Sequence, residues 1–379
     1  MKRLLGLIVV IVAATPSCKK AARKQPGEPP SPLATPASAA DAAPAPSALT
    51  VVGKQDGARQ ALFCGDRVLL VGDQGKLRLW QPASSQVVER TLDGEVVACG
   101  ALGHVLTLRR DQGELELHRL LDGEEGCAGA TQAVALSPDG RQFAVAGAKI
   151  QLLWLEAGPD HLASPANPKG PCEAMRTPGH PKPRWTSFQT PPGNLAVSEV
   201  FFDPEVTTLG VRGAGMGALW QLSAPGQPLL FKARQDGPVA TRRGRLAVIT
   251  ETGTVNVSGG AGAPVDLATT GKVTALMLTT EADFVVVGLE DGSVTRYLLD
   301  NKAATALGNL GEPVLTLALA GDGRVAAAGA TRAAFWSADG KELARVQGEQ
   351  VALATDARSV VTVTGGTAQV STVAATASR

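Results

Sequence analysis

From Leu49 onward the chain is built of short runs in which apolar and polar residues alternate, separated by turn residues. Alternation at period two predicts half-buried β-strands, and the Gly, Asp, Asn and Pro between the runs predict tight hairpins. One pattern returns along the whole stretch. It is an apolar strand, a turn, a strand rich in small apolar residues, a Gly turn, and an alternating strand that ends in a large residue. The clearest copies run Ala61 to Trp80, Ala133 to Trp154, Val273 to Tyr297 and Val314 to Trp336. Weaker copies run Val96 to His118, Val197 to Trp220, Val239 to Ser258 and Val351 to Ser371.

The residue that closes the third strand falls at Trp80, His118, Trp154, Trp220, Ser258, Tyr297, Trp336 and Ser371, in steps of 38, 36, 66, 38, 39, 39 and 35. A single period is therefore interrupted once, by an insertion. A second landmark agrees, because a glycine precedes the first strand of each copy at Gly57, Gly94, Gly129, Gly193, Gly237, Gly271, Gly311 and Gly348. A lone meander cannot bury both of its faces, whereas copies stacked radially and closed into a ring can. The expected fold is thus all-β, a β-propeller of four-stranded antiparallel blades over residues 49–373. Eight blades are preferred; seven is the alternative if the poor fifth copy is irregular. The last copy stops after its third strand, and Leu49-Thr50-Val51-Val52 supplies the missing fourth, so that the N-terminal strand closes the ring.

These copies resemble WD40-type repeats. The likeness is best in the third copy, where Ser137-Pro138-Asp139-Gly140 and the closing Trp154 sit as in that family. The family's Gly-His pair is reduced here to Gly, and no closing Trp is followed by Asp; a quinoprotein-like or YVTN-like propeller is the alternative. The resemblance implies a protein-binding scaffold with no cofactor. It offers as further readings a propeller hydrolase or lyase with its site in the central channel, and an outer-membrane assembly factor.

The segment before the ring changes the picture of where the protein works. Lys2 and Arg3 precede an apolar run from Leu4 to Ala14, the pattern of a signal peptide over residues 1–17 and too short to span a bilayer. Thr15-Pro16-Ser17-Cys18 resembles a bacterial lipobox, which implies lipidation at Cys18. Ordinary cleavage near Ser17 is the alternative, and both export the protein to the cell envelope. Residues 18–48 are rich in Ala and Pro and read as a disordered tether. The tether reaches between ~30 Å as a coil and ~90 Å as polyproline II. Residues 374–379 form a short tail.

Six of the 36 basic residues lie in the first 24 positions, so the remainder carries 30 basic against 35 acidic groups. A mildly anionic body disfavours nucleic acid. The expected partners are an envelope protein or peptide, and a membrane through the lipid; the chain itself is expected to be monomeric.

Candidate chemistry is sparse. The insertion at about 157–192 carries Asp160, His161, Cys172, His180 and Trp185 among many prolines, and reads as a binding loop or a plain surface excursion. It has neither the Cys-x-x-Cys nor the His-x-x-x-His spacing of a metal site. Export permits disulfides, and a bridge between Cys127 and Cys172 would pin the insertion. Cys64 and Cys99 hold similar places in the first two copies and are expected as small buried hydrophobes. Gly213 to Gly217 and Gly259 to Gly262 read as strand turns rather than phosphate loops, since neither opens a helix. Arg242-Arg243-Gly244-Arg245 reads as a solvated hairpin tip or a small anionic contact, and His104 and His118 as packing residues. No catalytic triad, paired-carboxylate motif or Gly-x-Ser-x-Gly elbow stands out.

Overall fold

The computed structural model describes residues 49–373, apart from 93, 102, 110–113, 120–123, 130–132, 147–148, 155–184, 261 and 280–282. The described residues form eight four-stranded antiparallel sheets. Blade 1 comprises Gln60–Cys64, Arg67–Val71, Lys76–Gln81 and Gln86–Thr91, and blade 2 Glu95–Cys99, His104–Arg109, Glu114–Arg119 and Glu124–Gly129. Blade 3 comprises Ala133–Leu136, Gln142–Ala146, Ile150–Trp154 and Trp185–Gln189, and blade 4 Glu199–Phe202, Thr208–Gly213, Met216–Gln221 and Leu229–Lys232. Blade 5 comprises Val239–Arg242, Arg245–Ile249, Val255–Gly259 and Val265–Leu267, and blade 6 Val273–Leu278, Phe284–Leu289, Ser293–Leu298 and Ala304–Asn309. Blade 7 comprises Thr316–Leu319, Val325–Ala328, Arg332–Trp336 and Glu342–Gln347. Blade 8 takes Gln350–Leu353, Ser359–Thr364 and Thr367–Val373 from the C-terminal end, and Leu49–Asp56 from the N-terminal end as its outer strand. The fifth copy is therefore a full blade.

Burial explains why these short strands hold together. The second strand of a blade is covered on both faces, and its sequence is correspondingly rich in apolar residues, as in Phe143–Ala146 and Val325–Ala328. Outer strands such as Gln86–Thr91 are largely exposed and polar. Among the described residues, eight apolar clusters lie one at each junction between neighbouring blades. Ala247 and Ile249 of blade 5 meet Val285 and Tyr297 of blade 6, for example, and Val68 and Trp80 of blade 1 meet Val361 and Val370 of blade 8. The junction between blades 8 and 1 makes the arrangement a ring.

Closure is by pairing of the chain's own two ends. The outer strand of blade 8 runs antiparallel to Thr367–Val373, with Leu49 opposite Val373 and Asp56 opposite Thr367, and a bulge between Val51 and Gly53. The Ala58 amide donates to the Gly366 carbonyl at 2.9 Å. The outer strands of blades 3, 6 and 7 are also bulged, a device that discourages edge-to-edge pairing with other chains.

Because first and third strands of a meander run in the same direction, their C-terminal ends share one end of the ring. Leu49, Val373, Trp154 and Trp185 all lie there. Chain entry, chain exit and the insertion thus leave from the end that also carries the turns between first and second strands. The opposite end carries the crossovers between blades.

Candidate functional site

The turns between first and second strands define one rim of the ring, and short polar side chains build them. In Ser137-Pro138-Asp139-Gly140, the Ser137 hydroxyl donates to Asp139 Oδ1 at 2.5 Å, and that carboxylate accepts the Arg141 amide at 3.0 Å. Gly140 supplies the left-handed backbone, at φ 71. Asp203 does the same in blade 4, accepting the Thr207 and Thr208 amides at 2.6 and 2.7 Å. Asp356 caps the Arg358 amide at 2.9 Å in blade 8. These acids therefore fix turn geometry.

The same rim is stitched across blades. Glu205, on the turn of blade 4, accepts from Arg242 at 3.1 Å and Arg243 at 2.8 Å on the turn of blade 5. Arg242 also reaches the Leu278 carbonyl of blade 6 at 3.3 Å. Burial pushes the Glu205 carboxyl up, but the hydrogen bonds and positive charge of Arg243 and Arg242 outweigh it and hold the group below its ordinary value. In blade 7 the buried Arg324 guanidinium holds Asp322 low against an opposing burial effect, with Nη2 and Oδ2 at 2.7 Å. The Arg242–Arg245 tip is thus the anionic contact of the two readings drawn from sequence: its anion is Glu205 of this same chain, and Arg242 is only 12% exposed.

The opposite rim has ties within blades 1, 6 and 7, beside ties between blades such as Arg345 of blade 7 to the Asn309 carbonyl of blade 6 at 2.9 Å. Glu312, on the crossover into blade 7, accepts the Thr331 amide and hydroxyl at 2.9 and 2.8 Å and the Arg332 amide at 2.7 Å. Lys272 pairs with Glu290 at 2.7 Å, and Arg59 with Asp73. Between the rims the first strands are mainly apolar. Two exceptions meet partners across blade junctions: buried Thr241 shares a hydrogen bond at 3.2 Å with Thr208 of the second strand of blade 4, and Gln350 Oε1 accepts the Ala61 amide at 3.0 Å.

Two features went beyond the sequence reading. Cys64 and Cys99 form a disulfide with a Cα–Cα distance of 5.3 Å, joining the ends of the first strands of blades 1 and 2. This corrects the expectation of two independent buried thiols. The closing aromatics also share a relation to the preceding blade in the ring: Trp80 lies over Gly53 of blade 8, Trp336 over Gly308 of blade 6, and Trp220 edge-on to Phe188 of blade 3 at 6.1 Å. The indole N–H groups of Trp80, Trp220 and Trp336 are buried with no hydrogen-bond partner among the described residues. In these blades the Trp acts as an apolar wedge.

Of the residues singled out in the sequence, Cys18, Asp160, His161, Cys172 and His180 lie outside the described residues. Cys127 lies on the strand Glu124–Gly129, and its pairing with Cys172 also falls outside them. Trp185 is not a loop residue: it opens the outer strand of blade 3, opposite Leu153, so the insertion ends before it. His104 is buried, at 1% exposure, in keeping with a packing role. Among the described residues no His, Cys, Asp and Glu cluster could hold a metal ion.

No family model matches the sequence, and a search of curated proteins finds no match. Solved structures do resemble it. The crystal structure of the computationally designed Ika8 protein gives a TM-score of 0.56 at 17% identity, covering 84% of this chain and 96% of that one. The C-terminal WD40 domain of Sif2 gives 0.54 at 11% identity, covering 86% and 99%. At these identities the likeness concerns fold alone, and it agrees with the sheet order above, an eight-bladed β-propeller.

Proposed function

We propose that the protein is an extracytoplasmic scaffold that binds an envelope protein or peptide and is held at a membrane by lipid on Cys18. The observation that carries the extracytoplasmic part is the Cys64–Cys99 bridge. Structural disulfides form and persist in oxidising compartments, and this one is independent of the N-terminal signal pattern that points the same way. The binding part is supported by the fold, since propellers of WD40 type commonly serve as interaction scaffolds. The ring also ties down its own charged groups. Glu205, Asp322 and Glu312 each serve a turn or an ion pair, which favours well-ordered rims. Rigid surfaces bind at a lower ordering cost.

The test uses the full chain in a bacterial host fed an alkyne-tagged fatty acid. The wild type is expected to take up the label and to sediment with membranes, and Cys18→Ser to lose the label. In-cell cross-linking should then yield one stoichiometric adduct with an envelope protein. An unlabelled wild type, or the absence of any adduct, would defeat the corresponding half of the reading.

A further inference from the structure

We propose that the Cys64–Cys99 bridge is a redox-set brace for ring closure, so that reduction loosens the ring at one seam and leaves the remaining blades folded. The geometry starts from the closing strand. Leu49–Asp56 belongs to blade 8 by pairing, but its chain continues through Gly57, Ala58 and Arg59 directly into the first strand of blade 1. Whatever holds blade 1 in place therefore holds the base of the closing strand beside its slot.

Contacts that cross the seam from blade 1 and the segment entering it to blade 8 include the Ala58 amide to the Gly366 carbonyl, the Ala61 amide to Gln350, the Arg78 guanidinium to the Asp56 carbonyl, the Trp80 ring over Gly53, and the apolar packing of Val68 and Leu70 with Val361 and Val363. They are lost if blade 1 swings away. On its other side blade 1 meets blade 2 through Leu69, Leu77, Leu79 and Val105, and the bridge lies within this same cluster. Cys64 follows the end of the closing strand by a single turn and one short strand. A covalent tie at that point keeps the detached strand at high effective concentration over Thr367–Val373, so that it zips back.

In a propeller each blade contacts only its two neighbours, so loss of the tie acts on the adjoining blades rather than on the whole. Cys64 is 1% exposed and Cys99 is half-buried, so a thiol reductant reaches the bridge from the Cys99 side. A dithiol such as dithiothreitol attacks Cys99 Sγ, expelling the Cys64 thiolate. Its second thiol then releases Cys99, leaving two protein thiols and one cyclic disulfide of the reagent.

Hydrogen exchange with mass spectrometry on the purified full chain tests this, with and without dithiothreitol. Reduction is expected to speed exchange of peptides within 49–91 by roughly tenfold or more, with blades 5 to 7 unchanged within about twofold. The double variant Cys64→Ser/Cys99→Ser should reproduce that pattern without reductant. If the variant does not fold, the reduced wild type decides alone. An even rise across all blades, no rise at 49–91, or free thiols located by alkylation and peptide mapping at Cys64 and Cys99 in protein never exposed to reductant would each overturn the brace.

Discussion

Glu205 illustrates how a single side chain joins turns that are remote in sequence. Its carboxylate serves two guanidinium groups of the next blade while 23% exposed, a site between a solvated surface pair and a buried one. Glu205→Gln is expected to cost about 1–2 kcal/mol near neutral pH. Because the folded-state value lies below the ordinary one, the ionised form is favoured by folding. This stabilisation is fully present above the ordinary carboxylate range and is lost as pH falls through the folded value. Thermal unfolding of wild type and Glu205→Gln should therefore converge in acid; a gap that stays constant with pH would mean the ion pairs contribute nothing.

Elements show how blades tolerate a composition so poor in aromatics. In blade 4, Gly210 lies opposite Phe201, and Gly217 opposite Phe231. Each ring closely approaches the bare backbone of its partner, and a Cβ at Gly217 would come within 2.1 Å of the Phe231 ring. Gly217→Ala is accordingly expected to destabilise by about 1–3 kcal/mol through overpacking, measured by denaturant unfolding. Phe231→Ala in the same background should recover part of that loss, a coupling that independent defects would lack. Elements also mark the limit of the sequence pattern. The first three strands of each copy are legible because they alternate or run apolar. Outer strands such as Gln86–Thr91 are largely exposed, and the one beginning at Trp185 falls where the sequence predicts a loop, because solvent-facing edges impose little pattern.

At the scale of the whole molecule, closure is the feature on which the rest depends. Deleting residues 49–56 would leave blade 8 with three strands and expose the Thr367–Val373 edge. The truncated chain is expected to melt at a lower temperature and to self-associate, as read by calorimetry and light scattering; a monomer with unchanged melting would refute closure by the N-terminal strand. The closing role of Leu49 to Val52 was legible because one copy lacked a fourth strand and a spare strand stood at the opposite terminus. Blade number was legible from the spacing of Trp80, Trp154, Trp220 and their counterparts.

The sequence alone determined the strand and turn grammar and the eight copies, because these rest on residues that are neighbours along the chain, and the place where the ring shuts, because the last copy lacks a strand that the other terminus supplies. Only the tertiary structure decided that Cys64 pairs with Cys99 at a separation of 35 residues, and that Arg242 turns inward to Glu205. It alone showed that Trp80 wedges against Gly53 without a partner for its N–H. Each of these contacts spans a junction between blades. Residues about one repeat apart touch there only after the ring has formed, so no local pattern of apolar and polar positions encodes them.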